Sequence, residues 1–210
     1  MEGSEGQPPA VCGAILAGGR ARRFGGRDKS SLLVAGRRIV ERQLEALSGV
    51  ASSVFVVGGA PERFEEFGLA VTPDLRPGFG PIGGLYTALT LASTPLVLVL
   101  ACDLPMVDAR FLSHLARSIG EADVCVPRDA RGWHPLCACY AVRCLPAIAA
   151  RLDAGRLKMS DALADLLRVE VGPDELAQFD PSGLLLSNVN TAEDYAALTR
   201  PRPRAARARP

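Results

Sequence analysis

Apolar positions in this chain form short, dense runs, separated by stretches in which they recur every three or four residues. Val11-Cys12-Gly13-Ala14-Ile15-Leu16, Val54-Phe55-Val56-Val57 and Leu96-Val97-Leu98-Val99-Leu100-Ala101-Cys102 are unbroken in the way of strands buried on both faces. The pattern predicts strands over 11–17, 54–57, 69–72, 96–101, 123–127 and 135–142, with 168–171 extended. Between them, three-to-four spacing predicts helices over 39–47, 62–67, 85–92, 109–119, 145–152 and 160–167. Gly49 and Thr94-Pro95 supply stops. Thr191-Ala192-Glu193-Asp194 reads as a capping box that starts a last helix through Leu198. Strands alternating with helices predict an α/β fold on a mostly parallel sheet.

The chain has 210 residues, 48% of them hydrophobic, which suffices for one substantial core. A single domain over 11–199 is expected. Residues 1–10, with neither a basic nor an apolar segment, read as a flexible lead-in rather than a secretion signal. The net charge of +1 hides an asymmetry, because Arg200, Arg202, Arg204, Arg207 and Arg209 fall among prolines and alanines. Residues 200–210 therefore read as a disordered, solvated basic tail, with no specific nucleic-acid partner expected. The longest apolar run is too short to cross a bilayer, so a soluble cytoplasmic protein without a membrane partner is expected. Of six cysteines, three fall in apparent core strands, and their spacing argues against a metal or disulfide framework. Reduced thiols are the expectation; a loose thiol site of Cys137, Cys139 and Cys144 is the remaining alternative.

Candidate chemistry gathers where strands end. After the first strand comes Leu16-Ala17-Gly18-Gly19-Arg20-Ala21-Arg22-Arg23-Phe24-Gly25-Gly26-Arg27-Asp28-Lys29. Glycines allow backbone N–H groups to approach a phosphate, and the arginines with Lys29 supply cationic charge, so the segment reads as a triphosphate cradle. It matches neither the P-loop nor the dinucleotide fingerprint. Asp103 follows the most apolar strand, where a rim carboxylate suits Mg²⁺, although alone it would serve equally to cap a turn. Asp74 is a second rim carboxylate, able to accept from a ribose or base edge or to shape its own turn. Pro77-Gly78-Phe79-Gly80-Pro81-Ile82-Gly83-Gly84 forms a second glycine-rich loop. Asn188 and Asn190 precede the last helix, where Asn often only shapes a turn. His114 reads as a surface residue and His134 as a pocket-lining one, neither with a legible partner.

In this order and spacing the motifs resemble the molybdenum cofactor guanylyltransferases, within the nucleotidyltransferase superfamily that includes sugar-nucleotide pyrophosphorylases. The opening motif has the family form of LAGG followed by R-[MF]-G and a lysine, here Leu16-Ala17-Gly18-Gly19, Arg23-Phe24-Gly25 and Lys29. Asp74, the Gly80–Gly84 loop, Cys102-Asp103-Leu104-Pro105, His134-Pro135-Leu136 and Asn188-Val189-Asn190-Thr191 look like its later elements, so the likeness covers residues 11–199. One departure is Gly58-Gly59, where some members carry a nucleotide-binding asparagine.

The resemblance implies a Rossmann-like three-layer α/β/α sandwich of nucleotidyltransferase type. It implies transfer of GMP from GTP to the terminal phosphate of molybdopterin. Leu16, Ala17, Gly18, Gly19, Lys29, Asp74 and Asp103 would bind the nucleotide; Arg23, Lys29 and Asp103 would be catalytic. Asp103 would hold Mg²⁺, with Mn²⁺ as a tolerated substitute. Gly26, Gly80, Gly84, Asn188 and Asn190 would be further site residues. Handover of the product to molybdoenzymes or their chaperones is a further implication. The alternatives are a cytidylyltransferase for the same pterin, another sugar- or metabolite-phosphate nucleotidyltransferase, and a nucleotide-sensing module without turnover.

Overall fold

The computed structural model describes residues 10–18 and 32–199; the expected tail, and the lead-in apart from Ala10, lie outside them. In chain order the strands are β1 (Val11–Leu16), β2 (Leu33–Val34), β3 (Arg37–Arg38), β4 (Val54–Val57), β5 (Ala70–Thr72), β6 (Leu96–Ala101), β7 (Val124–Asp129), β8 (Gly132–Trp133), β9 (Cys137–Ala141) and β10 (Arg168–Val171). The longer helices are α1 (Ile39–Ser48), α2 (Pro81–Leu91), α3 (Ala109–Ser118), α4 (Leu145–Asp153) and α7 (Ala192–Thr199), with single turns α5 (Met159–Ala162) and α6 (Pro173–Leu176).

The central sheet has the spatial order β5-β4-β1-β6-β9-β7-β10, and β8 pairs with β7. β1 pairs in parallel with β4 and β6, as do β4 with β5 and β7 with β10. β9 runs antiparallel to both its neighbours. Leu16 stands opposite Val57 and Ala101, and Val57 opposite Thr72. Four adjacent strands therefore end in one row, and whatever follows each of them shares the carboxyl edge, where open α/β sheets bind ligands.

All of β1 is buried, as its unbroken apolar run requires. Alternation sends Val11 and Ile15 to the face carrying Leu47, Phe111 and Leu115 of α1 and α3. Cys12, Ala14 and Leu16 meet Leu85, Leu89 and Ile148 of α2 and α4 on the other. The result is the expected three layers. Each fully buried Leu, Ile or Phe contributes about 1.5–3 kcal/mol through area removed from water. Caps set the helix starts: the Asp108 carboxylate accepts from Phe111 N at 2.9 Å, and the Glu41 carboxylate from Arg38 N at 2.7 Å. The capping box expected at 191–194 is present, with Asp194 N donating to Thr191 Oγ1 at 3.1 Å and Asp194 Oδ2 accepting from Thr191 N at 2.9 Å.

Several boundaries differ from the pattern. α2 begins at Pro81, four residues before the expected Leu85, because Gly80 takes a left-handed φ of 67° at the N-cap and Pro81 has the φ of a first turn. The second glycine loop thus ends at Gly80, and Gly83 and Gly84 are helical. The helix expected over 62–67 is two 3₁₀ turns, Pro61–Arg63 and Glu65–Phe67, closed by left-handed Gly68. Over 160–167 the helix stops at Ala162 and a 3₁₀ turn follows, because Leu167 N and O bond Asp123 and start β10. The expected strand 135–142 narrows to β9, since Val142–Cys144 is a 3₁₀ turn.

All six cysteines are free, and five are buried. Cys137 and Cys139 share the α1/α3 face, as period two demands, but Cys144 belongs to the opposite layer, which rules out the three-thiol site. Burial pushes the Cys137 and Cys144 thiols up to about 12. Among the described residues no helix is long and apolar enough to cross a membrane.

Candidate nucleotide-binding site

The carboxyl edge is built from four strand ends. β1 delivers Ala17 and Gly18, β4 delivers Gly58 and Gly59, β5 leads to Asp74, and β6 leads to Cys102 and Asp103. Hydrogen bonds carry the sheet past its last paired residues: Ala17 N donates to Val57 O at 2.9 Å, Gly58 N to Thr72 O at 2.8 Å, and Cys102 N to Leu16 O at 3.2 Å. Leu16 is buried, Ala17 half-buried and Gly18 exposed, so the main chain emerges into the cleft at Gly18.

A Cβ on Gly18 would meet nothing within 4 Å, so the described protein around it does not require glycine there. A ligand that needs the bare backbone would. Gly58 is different. Its φ is +72°, and a Cβ would come 3.1 Å from Gly18 N and Cα, so the β4 turn lies main chain against main chain on the start of the loop. Gly59, at φ +79°, approaches Ala17 Cβ in the same way.

Asp74 is held by its own turn and by α2. Its Oδ1 accepts from Arg76 N at 3.0 Å and from Thr87 Oγ1 at 2.9 Å. Thr87, fully buried, also accepts from Leu75 N at 3.0 Å. Asp74 therefore does act as the turn-shaping residue, through Oδ1, while Oδ2 lies beside Gly83. A Cβ on Gly83 would stand 2.7 Å from Arg76 O and 3.2 Å from Asp74 Oδ2, a backbone clash that side-chain rotation cannot relieve. At Gly84 the nearest atom is the mobile end of Leu16, at 3.3 Å. Gly80 contributes its φ, with open space where its Cβ would be.

Asp103 lies half-buried beyond β6, and Asp103 O accepts from Val189 N at 2.9 Å. That bond brings the Asn188–Asn190 segment to the Asp103 turn, with Asn188 exposed, Asn190 half-buried and Val189 in a small core with Val34 and Ile39. On its other side, Ala101 N donates to Leu136 O at 2.8 Å, so β9 brings His134-Pro135-Leu136 to the same edge. Mg²⁺ takes one or two carboxylates and fills its shell with phosphate oxygens and water. Among the described residues no group of three or more His, Cys, Asp or Glu could hold a metal. A single rim carboxylate fits an ion that arrives with a triphosphate.

The structure therefore brings together Leu16, Ala17, Gly18, Asp74, Gly80, Gly84, Asp103, Asn188 and Asn190. Gly19, Arg23, Gly26 and Lys29 lie outside the described residues. Sequence reasoning placed Gly83 in the glycine-rich loop without a role of its own and passed over Thr87. Their signal was a Thr on an apolar helix, four residues after a glycine. The histidines, which showed no partners in sequence, have them: His114 is half-buried against Glu175 Oε1 at 2.6 Å, and His134 Nε2 lies 2.9 Å from Asp129 Oδ1, a close approach without hydrogen-bond angles. Burial would raise the Asp129 carboxyl, but hydrogen bonds from Arg131 and the neighbouring His134 bring it down to about 2.

The family model of the MobA-like NTP transferase domain matches residues 13–170, which includes every strand end described above. The chain belongs to this family. A probable molybdenum cofactor guanylyltransferase of Pelotomaculum thermopropionicum is 36% identical over 183 residues, 87% of this chain and 88% of that protein. The molybdenum cofactor guanylyltransferase of Desulfosudis oleivorans is 32% identical over 88% of this chain and 92% of its own. Among solved structures, the molybdopterin-guanine dinucleotide biosynthesis protein A of Archaeoglobus fulgidus superposes with a TM-score of 0.75 at 26% identity, covering 90% of this chain and 96% of that one. This MobA-like NTP transferase is a nucleotidyltransferase, with the three-layer architecture expected of one.

Proposed function

We propose that this protein transfers GMP from GTP to the terminal phosphate of molybdopterin, forming a guanine dinucleotide cofactor and releasing pyrophosphate. The observation that carries the reading is the row of four parallel strand ends, which sets Asp74 and Asp103 on either side of the bare backbone at Gly18. The names of the relatives supply the identity of base and acceptor.

In this reading an oxygen of the acceptor phosphate attacks the α-phosphorus of GTP, and the bond to the bridging oxygen of pyrophosphate breaks. A phosphate monoester has a second pKa of about 6, so the nucleophile is already ionised near neutral pH and no side chain need take its proton. The protein's work is alignment and neutralisation of charge. Ala17 and Gly18 receive the nucleotide through main-chain groups, and Asp74 Oδ2 accepts from a nucleoside hydroxyl or base edge. Arg23 and Lys29 meet the β- and γ-phosphates and stabilise the departing pyrophosphate. Asp103 is the residue that would hold Mg²⁺, or Mn²⁺ in its place. When bound, that ion neutralises charge across the reacting phosphates. Gly26, Gly80, Gly84, Asn188 and Asn190 are further site residues, and the product passes to molybdoenzymes or their chaperones in the cytoplasm.

The deciding experiment is pyrophosphate release with molybdopterin and Mg²⁺, run separately with GTP, CTP, ATP and UTP. Release with GTP alone supports the proposal. Release with CTP alone replaces guanylyl by cytidylyl transfer, and nucleotide binding without release in any arm leaves a sensing module.

A further inference from the structure

Gln43 occupies a place where a core residue would be expected. It lies on the inward face of α1, between Val40 and Leu47, and only 1% of its surface is exposed. Its Nε2 donates to Ala101 O at 2.7 Å and to Leu104 O at 3.2 Å. Those two carbonyls bracket Asp103. The preceding residue, Arg42, donates from Nε to Pro105 O at 2.6 Å. One turn of α1 thus grips three main-chain carbonyls of the segment 101–105.

This arrangement is costly for a helix that could have buried a leucine. Gln43 Oε1 is buried with no hydrogen-bond partner among the described residues. A stranded acceptor is a net penalty unless the two donated bonds serve something else. The amide has no alternative orientation, because a flip would set oxygen against both carbonyls. The other supports of the turn come from different elements: Leu104 N to Ala101 O at 3.4 Å within it, Cys102 N to Leu16 O from β1, and Val189 N to Asp103 O from the segment before α7. All of these fix the main chain of the turn. None of them uses the Asp103 carboxylate.

We infer that Gln43, assisted by Arg42, is a positioning residue. From α1 it holds the Ala101–Pro105 turn so that the Asp103 carboxylate is presented to a divalent cation at a fixed place and angle. The inference rests on the proposed nucleotidyl transfer, in which Asp103 is the metal-holding group. Outer partners of this kind orient a metal ligand without touching the metal, and their loss weakens metal affinity or activity about 10–100-fold.

The test uses the full chain and its Gln43→Leu, Gln43→Glu and Arg42→Ala variants. Mn²⁺ affinity is measured by electron paramagnetic resonance in the presence of GTP and without acceptor, so that no turnover occurs. GTP affinity without divalent ion, thermal melting and turnover with Mg²⁺ are measured alongside. Gln43→Leu fills the same volume without donors. It is expected to melt cooperatively, to bind metal-free GTP within about threefold of the parent, and to lose Mn²⁺ affinity about tenfold or more. Gln43→Glu, which sets a carboxylate against two carbonyls, should lose at least as much, and Arg42→Ala should shift Mn²⁺ affinity in the same direction by a smaller factor. Turnover should fall with the Mn²⁺ affinity while KM for GTP changes little. Unchanged Mn²⁺ affinity in the folded variants would overturn the inference. So would a parallel fall in metal-free GTP binding and melting temperature, which describes a residue needed only for the fold. Should Gln43→Leu not fold, Arg42→Ala decides by the same two criteria. A parent that binds neither Mn²⁺ nor GTP would instead defeat the nucleotidyl-transfer reading.

Discussion

The two flanks of Asp103 are made from different materials. On the side of β1, β4 and β5 the cleft is lined by main chain: Ala17, Gly18, Gly58 and Gly59, with Asp74 locked in its turn by Thr87. On the side of β9, β7 and β8 it is lined by side chains. There Asp129 gathers Arg131 and His134, and the guanidinium groups of Arg128 and Arg168 lie 5.2 and 5.3 Å from the Trp133 ring. Topology explains the contrast. β1 and β4 leave the sheet at this edge through glycines, with left-handed Gly58 and Gly59 packed on Gly18 and Ala17, whereas β7, which runs the same way, turns straight back as a hairpin into β8. β9 enters the sheet there from a tight turn, His134-Pro135-Leu136-Cys137, closed by Cys137 N donating to His134 O at 3.0 Å. Tyr140, fully buried in β9, steadies that turn by donating to Pro135 O at 2.8 Å. A substitution on the first flank therefore acts through backbone shape, and one on the second through a lost side-chain contact.

The largest effect should come from the residue between the flanks. Asp103→Asn keeps the main-chain bond from Val189 but loses the anionic oxygen, and pyrophosphate release should fall by about 10²-fold or more with an unchanged melting curve. Lys29→Ala should behave alike, and near-parental turnover in either would undo the assignment.

The next test contrasts two glycines on the main-chain flank. In Gly83→Ala the methyl group meets Arg76 O at 2.7 Å, and overpacking of roughly 1–3 kcal/mol outweighs the roughly 1 kcal/mol gained from helix propensity. Net destabilisation of up to about 2 kcal/mol should lower the melting temperature. Gly18→Ala should leave melting unchanged, since a Cβ there meets no described protein atom, yet raise KM for the nucleotide about tenfold. If Gly18→Ala melts early and binds nucleotide normally, the distinction between a ligand-driven and a fold-driven glycine collapses.

The smallest effect lies on the side-chain flank and depends on pH. Asp129 has an ordinary value of 3.8 and is held at about 2 in the folded protein. A depressed carboxylate stabilises the fold above its unfolded value, and that contribution drains away as pH falls from about 4 towards 2. Acid titrations of the parent and of Asp129→Asn should converge below that window and separate above it, with the parent more stable. Equal separation at all pH values would mean that the charge contributes nothing.

Much of the sheet was legible because its strands are buried on both faces, leaving unbroken apolar runs at β1, β4 and β6. The start of α2 was not. Gly83 and Gly84 resemble turn residues in sequence, and only the close approach of Arg76 O and Leu16 explains their presence inside a helix. The reversed direction of β9 leaves no local mark either, because Cys137–Ala141 is as apolar as a parallel strand. At the site, Asp74, Asp103 and Gly18 were legible from their positions after strands. Gln43 and Thr87 were not, since their partners lie 58 and 13 residues away and depend on tertiary contact alone.

The reversed β9 also affects how the protein can be made. As the chain emerges during synthesis, β1, β4, β5 and β6 can pair with one another at once, which leaves β6 as the sheet's last strand until residues 137–141 arrive. An uncovered Leu96–Ala101 edge, apolar along its whole length, is a template for pairing with another nascent chain. A stall between β6 and β9 would thus hold that edge open to another chain.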